Sequence, residues 1–197
     1  LSVVIGVPFI PLADQWMDQI NEHFHHEKKD DYIFNGVIGC YSGEDNWQQN
    51  IIKESNNFNE SCLEKRSHLS VYLVVNNSLA SEAFQNFFID TKRINPKRTL
   101  FIGDECHNYT RKIYRDSLNK QVAFRLGLSA TAFNDEKHKT LDEKEMEEYF
   151  GEICHRYTLK DGIKDGHLAS YYYHPIPCIL EDDEFLEWKN YLDSYKK

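Results

Sequence analysis

The sequence predicts a three-layer α/β domain in which helices cover both faces of a mainly parallel sheet. Two observations favour this class. Short apolar runs alternate with segments of helical periodicity along the chain, and polar residues follow the ends of several of these runs. Strands that alternate with helices form crossover units, and such units build parallel sheets. The 197 residues are enough for one domain with its own core but too few for two complete α/β domains.

Five short apolar runs are the predicted strands. They are Ser2 to Val7, Asn35 to Tyr41, Ser70 to Val75, Thr99 to Gly103 and Val122 to Leu128. In parallel sheets of this kind, ligands bind outside the carboxyl ends of the strands. The polar residues that directly follow these runs are therefore the candidate site residues.

Helical spacing of apolar residues predicts the connecting helices. They are Leu12 to Phe24, Trp47 to Asn57, Ala80 to Ile89, Arg111 to Leu118, and a charged helix from Thr140 to about Phe150. Asn76, Asn77 and Ser78 precede the third of these helices, and all three are residue types that favour helix N-caps. Thr140 and Glu143 have the spacing of a capping box, which predicts a helix start there.

The last part of the chain has a different pattern, so we predict one domain over residues 1–152 and an exit segment over 153–197. The segment from Cys154 to Tyr157 is a candidate connecting strand. Thr158 and Asp161 have the spacing to cap a short helix through Lys164. Ala169 to Ile179 is expected to be extended, and a final helix follows Asp182 and Asp183. The exit segment is expected to lead towards a second domain.

Composition and charge exclude some classes of protein. No run of about 18 apolar residues is present, so no membrane partner is expected. The five cysteines are odd in number and widely spread, which favours reduced thiols in a cytoplasmic protein. The net charge of −9 does not by itself indicate a nucleic-acid binder. Basic residues nevertheless cluster between positions 92 and 115, where a phosphate-contacting surface and an ordinary mixed surface are equally good interpretations.

Two adjacent acids, Asp104 and Glu105, follow the fourth predicted strand. An acid at a strand end can hold Mg²⁺ directly or through water, because this ion takes one or two carboxylates together with waters and phosphates. The next acid can orient or deprotonate an attacking water. Taken alone, such a pair more often only closes a strand at the surface.

The pair is not alone, because Ser129-Ala130-Thr131 follows the fifth predicted strand. Asp104-Glu105-Cys106-His107 resembles the second motif of superfamily 2 helicases in its D-E-x-H form, and Ser129-Ala130-Thr131 resembles their third motif. The segment from Val7 to Trp16 resembles the family's nucleic-acid contact motif after the second strand. Val74 to Leu79 is similar to a later contact motif. The segment from Tyr157 to Leu168 resembles the one that follows the first domain in restriction-type and repair-type DNA helicases.

This resemblance implies a RecA-like P-loop NTPase fold, ATP and Mg²⁺ as cofactors, and DNA as the partner. It implies that Asp104 serves Mg²⁺ through water, that Glu105 is the catalytic base, and that His107 links the nucleotide site to the third motif. Ser129 and Thr131 would couple hydrolysis to movement on the nucleic acid. The residues expected near the nucleic-acid track are Pro8, Gln15, Trp16, Asn77 and Ser78.

One feature of the family is missing from the sequence. No Gly-rich loop of the form G-x-x-x-x-G-K-[ST] is present, and family order would place it before Leu1. A second RecA-like domain, which normally supplies an arginine finger, would follow Lys197. The resemblance therefore predicts an N-terminally truncated fragment of an ATP-dependent DNA helicase or translocase that is inactive alone. The alternatives are a degenerate, non-catalytic module that binds nucleic acid or protein, and an RNA helicase.

Overall fold

A computed structural model describes residues 1–26, 32–44, 46–64, 66–91, 93–133, 137–177 and 181–195. Contacts between residues divide the chain into two compact units, Leu1–Glu152 and Ile153–Lys197. The first unit contains the sheet and all the candidate site residues.

The sheet of the first unit has five strands, and every pair of neighbours is parallel. The strands are β1 (Ser2–Val7), β2 (Tyr32–Cys40), β3 (Ser67–Val75), β4 (Thr99–Gly103) and β5 (Phe124–Gly127). Their order across the sheet is β2-β3-β1-β4-β5. The predicted parallel sheet is confirmed. β2 and β3 begin three residues before the predicted starts. β5 is shorter than predicted, since its pairing with β4 begins only at Phe124, while Val122 is buried in the core.

Six α-helices lie in the first unit, in the part of the chain that the structure describes. They are α1 (Ile10–His26), α2 (Trp47–Leu63), α3 (Asn76–Leu79), α4 (Glu82–Gln85), α5 (Lys112–Arg115) and α6 (Leu141–Phe150). A π-helical turn, Asn86–Asp90, extends α4, and two 3-10 turns cover Pro96–Arg98 and Cys106–Thr110. The last of these turns begins directly after the acid pair.

The core is divided by the sheet into two apolar clusters, as expected for three layers. Side chains alternate between the two faces of a strand, so in β1 Val4 joins one cluster while Ile5 and Val7 join the other. The first cluster also contains Ile51 of α2 and Met146 of α6. Apolar residues of α1 pack on the opposite face. The predicted α/β/α arrangement is confirmed.

Two predicted helices differ in the structure. The helix predicted from Ala80 to Ile89 is preceded by α3 and begins instead at Glu82, where Ser81 Oγ accepts a hydrogen bond from the Phe84 amide at 3.3 Å. The prediction that residues 76–78 cap this helix is wrong. Asn76 is buried, and its Oδ1 instead accepts a hydrogen bond from the Tyr109 hydroxyl at 2.8 Å. The helix predicted from Arg111 to Leu118 is limited to the four residues of α5.

The predicted capping box of α6 is confirmed. Thr140 Oγ1 accepts a hydrogen bond from the Glu143 amide at 3.2 Å, and the Glu143 carboxylate accepts one from the Thr140 amide at 2.8 Å. This reciprocal arrangement satisfies two amide groups that a helix start leaves without partners. The helix therefore begins where the sequence pattern places it.

A buried polar network joins α2 to the start of β3. The Glu54 carboxylate accepts hydrogen bonds from Ser70 Oγ at 2.8 Å and Asn35 Nδ2 at 3.0 Å, and it lies 2.7 Å from His68 Nε2. The other ring nitrogen of His68 lies 2.9 Å from Ser61 Oγ. Buried polar groups are costly without partners, so this network fixes the position of α2 against the sheet.

The second unit contains α7 (Leu159–Lys164) and α8 (Asp182–Tyr195). Thr158 caps α7 through a capping box with Asp161, as predicted. The prediction of a strand from Cys154 to Tyr157 is wrong, because these residues form no regular secondary structure. Among the helices of the described residues, none has the length and apolar character needed to span a membrane. The cysteines that the structure describes, 40, 62, 106 and 154, are free thiols, while Cys178 lies outside the described residues.

Candidate functional site

The candidate residues meet at one edge of the sheet. Asn77 follows β3, Pro8 follows β1, Asp104 follows β4 and Ser129 comes two residues after β5. These four strands are neighbours in that order, and parallel pairing brings their carboxyl ends together. Adjacent strands are about 4.8 Å apart, so the four strand ends extend over roughly 14 Å. The acid pair lies between the proposed nucleic-acid residues and the hydroxylated residues of the third motif.

A row of three glycines supports this edge from one face of the sheet. Gly6, Gly103 and Gly127 are aligned across β1, β4 and β5. A Cβ atom placed on Gly6 would lie 2.2 Å from the Tyr109 hydroxyl, and one on Gly103 would lie 2.7 Å from Phe150 Cζ. The absence of side chains lets these two rings pack directly against the strands. These glycines are not among the residues predicted from the sequence, although glycine inside a strand is itself a signal of close approach.

Donors from two directions fix the Asp104 carboxylate. Its Oδ2 accepts a hydrogen bond from Trp16 Nε1 at 2.7 Å, and its Oδ1 accepts one from the Glu105 amide at 2.9 Å. The Asp104 amide donates to the Gly6 carbonyl at 2.8 Å, which ties the backbone to β1. A carboxylate has about four lone-pair positions, so each oxygen keeps a free position for a further ligand.

The backbone turns sharply at Glu105, which has a φ of 48° in the left-handed region. This conformation is unfavourable for a residue other than glycine. It begins the 3-10 turn and separates the directions of the two neighbouring acids. The Glu105 side chain remains about 40% exposed, and its Oε2 lies 3.2 Å from His107 Nδ1.

His107 contacts both the acid pair and the third motif. Its Nδ1 lies 3.0 Å from Ser129 Oγ as well as 3.2 Å from Glu105 Oε2. Asn108 Nδ2 lies 3.4 Å from His107 Nε2, and an amide nitrogen can only donate. In the neutral ring the proton is therefore on Nδ1, where it faces the Glu105 carboxylate and the Ser129 hydroxyl.

Backbone bonds hold Leu128, the residue before the third motif, against the end of β4 and the turn that follows it. The Cys106 amide donates to the Leu128 carbonyl at 2.8 Å, and the Leu128 amide donates to the Gly103 carbonyl at 2.9 Å. Ser129 Oγ accepts a hydrogen bond from the Thr131 amide at 3.1 Å. Ser129 thus lies between His107 and the backbone of Thr131, whereas the Thr131 side chain is exposed.

Cys106 lies between the two acids and His107 in sequence but has a different environment. Only 5% of its surface is exposed. Burial, together with the nearby Glu105 carboxylate, raises the pKa of the Cys106 thiol to about 11. The thiol is therefore protonated at neutral pH and packs against the sheet near Gly127.

The predicted nucleic-acid residues do not all have the same surroundings. Trp16 is partly buried and points its indole N–H at Asp104, whereas Gln15 beside it is exposed. Pro8 is partly buried in the turn between β1 and α1. Asn77 is exposed, and its Oδ1 accepts a hydrogen bond from the Tyr114 hydroxyl at 2.7 Å. Ser78 is partly buried, and its carbonyl accepts from Ser81 Oγ at 2.6 Å.

The basic cluster noted in the sequence is partly compensated by acids. Arg115 bonds to Asp142 at 2.8 Å and to Glu145 at 2.6 Å. Lys112 pairs with Asp116 one turn further along the chain. These two basic residues therefore belong to a mixed surface, while Lys92 lies outside the described residues.

The acid pair suits an ion that needs few protein ligands. Within the described ranges, no group of three or more His, Cys, Asp or Glu residues is arranged to hold a metal ion. Mg²⁺ is commonly bound by one or two carboxylates, with water and phosphate oxygens completing its shell. The free lone-pair positions of Asp104 and the half-exposed Glu105 carboxylate are compatible with this mode.

The parallel sheet, the acid pair after β4 and the hydroxylated residues after β5 define a RecA-like domain of the superfamily 2 helicase class. A family model described as "Type III restriction enzyme, res subunit" matches residues 2–134, which is more than half of the chain and includes both motifs. The chain belongs to this family. No curated protein sequence matches it.

A solved structure supports the fold assignment. The chain is similar to a nuclease-deletion mutant of the Type ISP restriction-modification enzyme LlaGI, solved in complex with a DNA substrate mimic. The TM-score is 0.57 and the sequence identity is 17% over 84% of this chain. The similarity covers 16% of the length of that enzyme. At this identity, the comparison concerns the fold alone.

Proposed function

We propose that this domain works within an ATP-dependent DNA helicase or translocase and couples ATP hydrolysis to movement on nucleic acid. The observation that carries the proposal is the position of His107, whose Nδ1 contacts both Glu105 at 3.2 Å and Ser129 at 3.0 Å. One imidazole thereby joins an exposed carboxylate to the neighbouring strand. A change at the acid can thus be transmitted to β5 through a single side chain.

Glu105 is the proposed catalytic base. Its carboxylate is half-exposed, so a water molecule can reach it, and its contact with His107 orients it. A positioned general base commonly contributes a factor of about 10² to 10⁴ to a reaction rate. The left-handed backbone at Glu105 also supports a functional role, because strained conformations cluster at active sites.

Asp104 is the residue proposed to hold Mg²⁺ through water, because its carboxylate is oriented by two donors and keeps free lone pairs. When bound, Mg²⁺ would neutralise charge on the nucleotide phosphates. Ser129 and Thr131 are the proposed coupling residues. Their connection is the hydrogen bond from the Thr131 amide to Ser129 Oγ, which links His107 to the chain after β5.

The ends of β1 and β3 are the proposed nucleic-acid side. Gln15 and Asn77 are exposed there and carry amide groups that can contact a phosphate backbone. DNA is the proposed partner because LlaGI, the enzyme with the similar fold, is described in complex with a DNA substrate mimic. RNA as the preferred polymer is the alternative outcome of the assay below.

The 197 residues by themselves are expected to hydrolyse ATP poorly or not at all. They contain no Gly-rich loop with Lys and Ser or Thr, and such a loop cradles the nucleotide phosphates. An arginine finger from a second RecA-like domain would add a further factor of about 10³ to 10⁵. The proposal therefore concerns the natural protein that contains this domain, with the loop and the second domain as its other parts.

The test is ATP hydrolysis by that natural protein and by its Glu105→Gln variant, measured in parallel with DNA and with RNA as the stimulating polymer. We expect kcat to fall by about 10² to 10⁴ while ATP binding, measured by calorimetry, is retained. Glu148→Gln is the matched control, since Glu148 is an exposed carboxylate on α6 outside the site. Unchanged hydrolysis in Glu105→Gln would refute the proposed role. A natural protein that contains the loop and binds DNA but no ATP would instead be a non-catalytic binding module.

A further inference from the structure

One side-chain hydrogen bond connects α1 to the acid pair. Trp16 Nε1 donates to Asp104 Oδ2 at 2.7 Å, although the two residues are 88 positions apart in the chain. The indole N–H is the only polar group of a tryptophan side chain. The ring itself packs against the apolar cluster between α1 and the sheet. Packing therefore holds the ring, and the hydrogen bond directs its one donor at the carboxylate.

This bond determines the orientation of the Asp104 carboxylate. The Glu105 amide holds Oδ1, but one donor alone leaves the carboxylate free to rotate about its last side-chain bond. The Trp16 indole holds Oδ2 and removes that freedom. The lone pairs that remain on both oxygens are thereby directed to fixed positions, which is the condition for binding a small ion with strict geometry.

Helix α1 also presents the surface proposed to meet nucleic acid. Phe9 and Ile10, at its start, are 55% and 37% exposed, and Gln15 is exposed on its second turn. Asp14 of the same turn accepts a hydrogen bond from the Tyr41 hydroxyl at 3.0 Å, which ties α1 to the chain after β2. Gln15 and Trp16 are consecutive residues of the same helix, so a ligand at Gln15 that shifts the helix backbone would also shift the indole donor of Asp104.

We propose that Trp16 is a positioning residue through which nucleic acid bound at the start of α1 regulates the magnesium carboxylate Asp104. The regulatory part rests on the proposed function, whereas the contact between Trp16 and Asp104 does not depend on it. Trp16 would therefore act on the nucleotide site and not as a base-stacking residue on the nucleic-acid track. Binding of DNA and binding of magnesium nucleotide would be energetically coupled, and the coupling would be reciprocal.

The contact is tested first in the chain itself by the ¹⁵N–¹H signal of the Trp16 indole. Asp104→Ala removes the acceptor, so we expect the Trp16 signal to shift while the signals of Trp47 and Trp188 stay in place. Asp142→Ala is the matched control, because it removes an exposed carboxylate bonded to Arg115. An unshifted Trp16 signal in a folded Asp104→Ala variant would overturn the inference.

The regulatory role is tested in the natural protein by calorimetric titration of Mg²⁺ with ATP, with and without DNA. Trp16→Phe keeps an aromatic ring but removes the N–H, and we expect magnesium-dependent ATP affinity to fall about tenfold, in line with loss of a hydrogen bond to a charged group. The effect of DNA on this affinity should also be lost. Trp47→Phe is the control, because Trp47 packs against Phe84 and Phe87 away from the acids.

The outcomes separate the two proposals. If Trp16→Phe binds magnesium nucleotide as the unchanged protein does and keeps the DNA effect, the inference fails, while loss of hydrolysis in Glu105→Gln still supports the proposed function. If the unchanged natural protein shows no magnesium-dependent ATP binding, both the proposed function and the regulatory role fail. The indole signal then reports only whether the contact exists.

Discussion

Substitution of Gly103 by alanine tests the packing beneath the candidate site. The added Cβ would lie 2.7 Å from Phe150 Cζ and 2.9 Å from Tyr109 Cε2, compared with an optimal carbon–carbon separation of about 3.5–4.0 Å. Overpacking of a core commonly costs about 1–3 kcal/mol. Replacing a glycine in a strand by alanine adds about 0.5–1 kcal/mol to the free energy of unfolding, because the unfolded chain then has less conformational freedom to lose. We expect the free energy of unfolding to fall by roughly 1–2 kcal/mol.

Neither ring can move away easily, which is why relaxation should be limited. Tyr109 is fully buried, and its hydroxyl donates to Asn76. Burial raises the pKa of Tyr109, so this hydroxyl keeps its proton across the ordinary pH range. Phe150 stacks on Phe101 with ring centroids 6.1 Å apart and also contacts Tyr109. A shift of either ring would therefore disturb other contacts of the core.

The assay is urea unfolding, with the midpoint expected to fall and the slope to stay unchanged. Gly39→Ala is the comparison in β2, where two of the three nearest atoms, Glu44 Cγ at 2.9 Å and Met17 Cε at 3.1 Å, belong to flexible side chains and the third is Tyr41 Cε1 at 3.1 Å. It should cost less than Gly103→Ala. In a Phe150→Leu background the loss of stability caused by Gly103→Ala should also be smaller, since the stability effects of substitutions at residues in contact are not additive. An alanine at 103 that leaves stability unchanged or increases it would refute the packing argument.

Two further predictions concern buried polar groups. Glu54→Ala should lower the free energy of unfolding by about 3–5 kcal/mol, because it leaves His68 and Ser70 buried without their carboxylate partner. A loss below about 1 kcal/mol in urea unfolding would contradict this. Cys106 should react with iodoacetamide far more slowly than exposed Cys154 at pH 8. Burial raises the pKa of Cys106 to about 11, so at this pH it has roughly a hundredfold less thiolate than an ordinary thiol, and the thiolate is the reactive form. Because the pKa of Cys106 is higher in the folded than in the unfolded chain, its protonated thiol contributes to the free energy of unfolding below about pH 9, and this contribution is lost as the pH rises towards 11. Equal labelling of both thiols, measured by mass spectrometry, would refute the burial argument.

Sequence patterns predicted the parts of the molecule that depend on local chemistry. The run from Thr99 to Gly103 became β4 with unchanged bounds, and the capping box at Thr140 starts α6. The same reasoning failed at Asn76, because an N-cap and a buried acceptor for Tyr109 are equally suitable uses of an asparagine. Which of these uses prevails depends on a residue 33 positions away, and no local pattern contains that information.

The candidate site was predictable to a similar extent. Placing the acid pair and Ser129 at strand ends required only the order of apolar runs and polar residues, and the parallel sheet then brought them to one edge. The direction of Trp16 was not predictable in this way. Its helical spacing indicates the inner face of α1, but the bond to Asp104 depends on β1 and β4 being neighbours in the sheet. Sheet order is a property of the whole fold.

The two acids, although adjacent in the chain, are directed to different partners by the backbone at Glu105. In an extended strand, consecutive side chains point to opposite faces, and a strand continued through both acids would place Glu105 across the sheet from Asp104. The left-handed turn at Glu105 ends the strand instead, so that Asp104 contacts α1 while Glu105 contacts His107 beside β5. A left-handed non-glycine residue costs about 1–2 kcal/mol. Glycine would adopt this turn without that cost, but it carries no carboxylate, so the strain is the structural cost of having a second acid at this position.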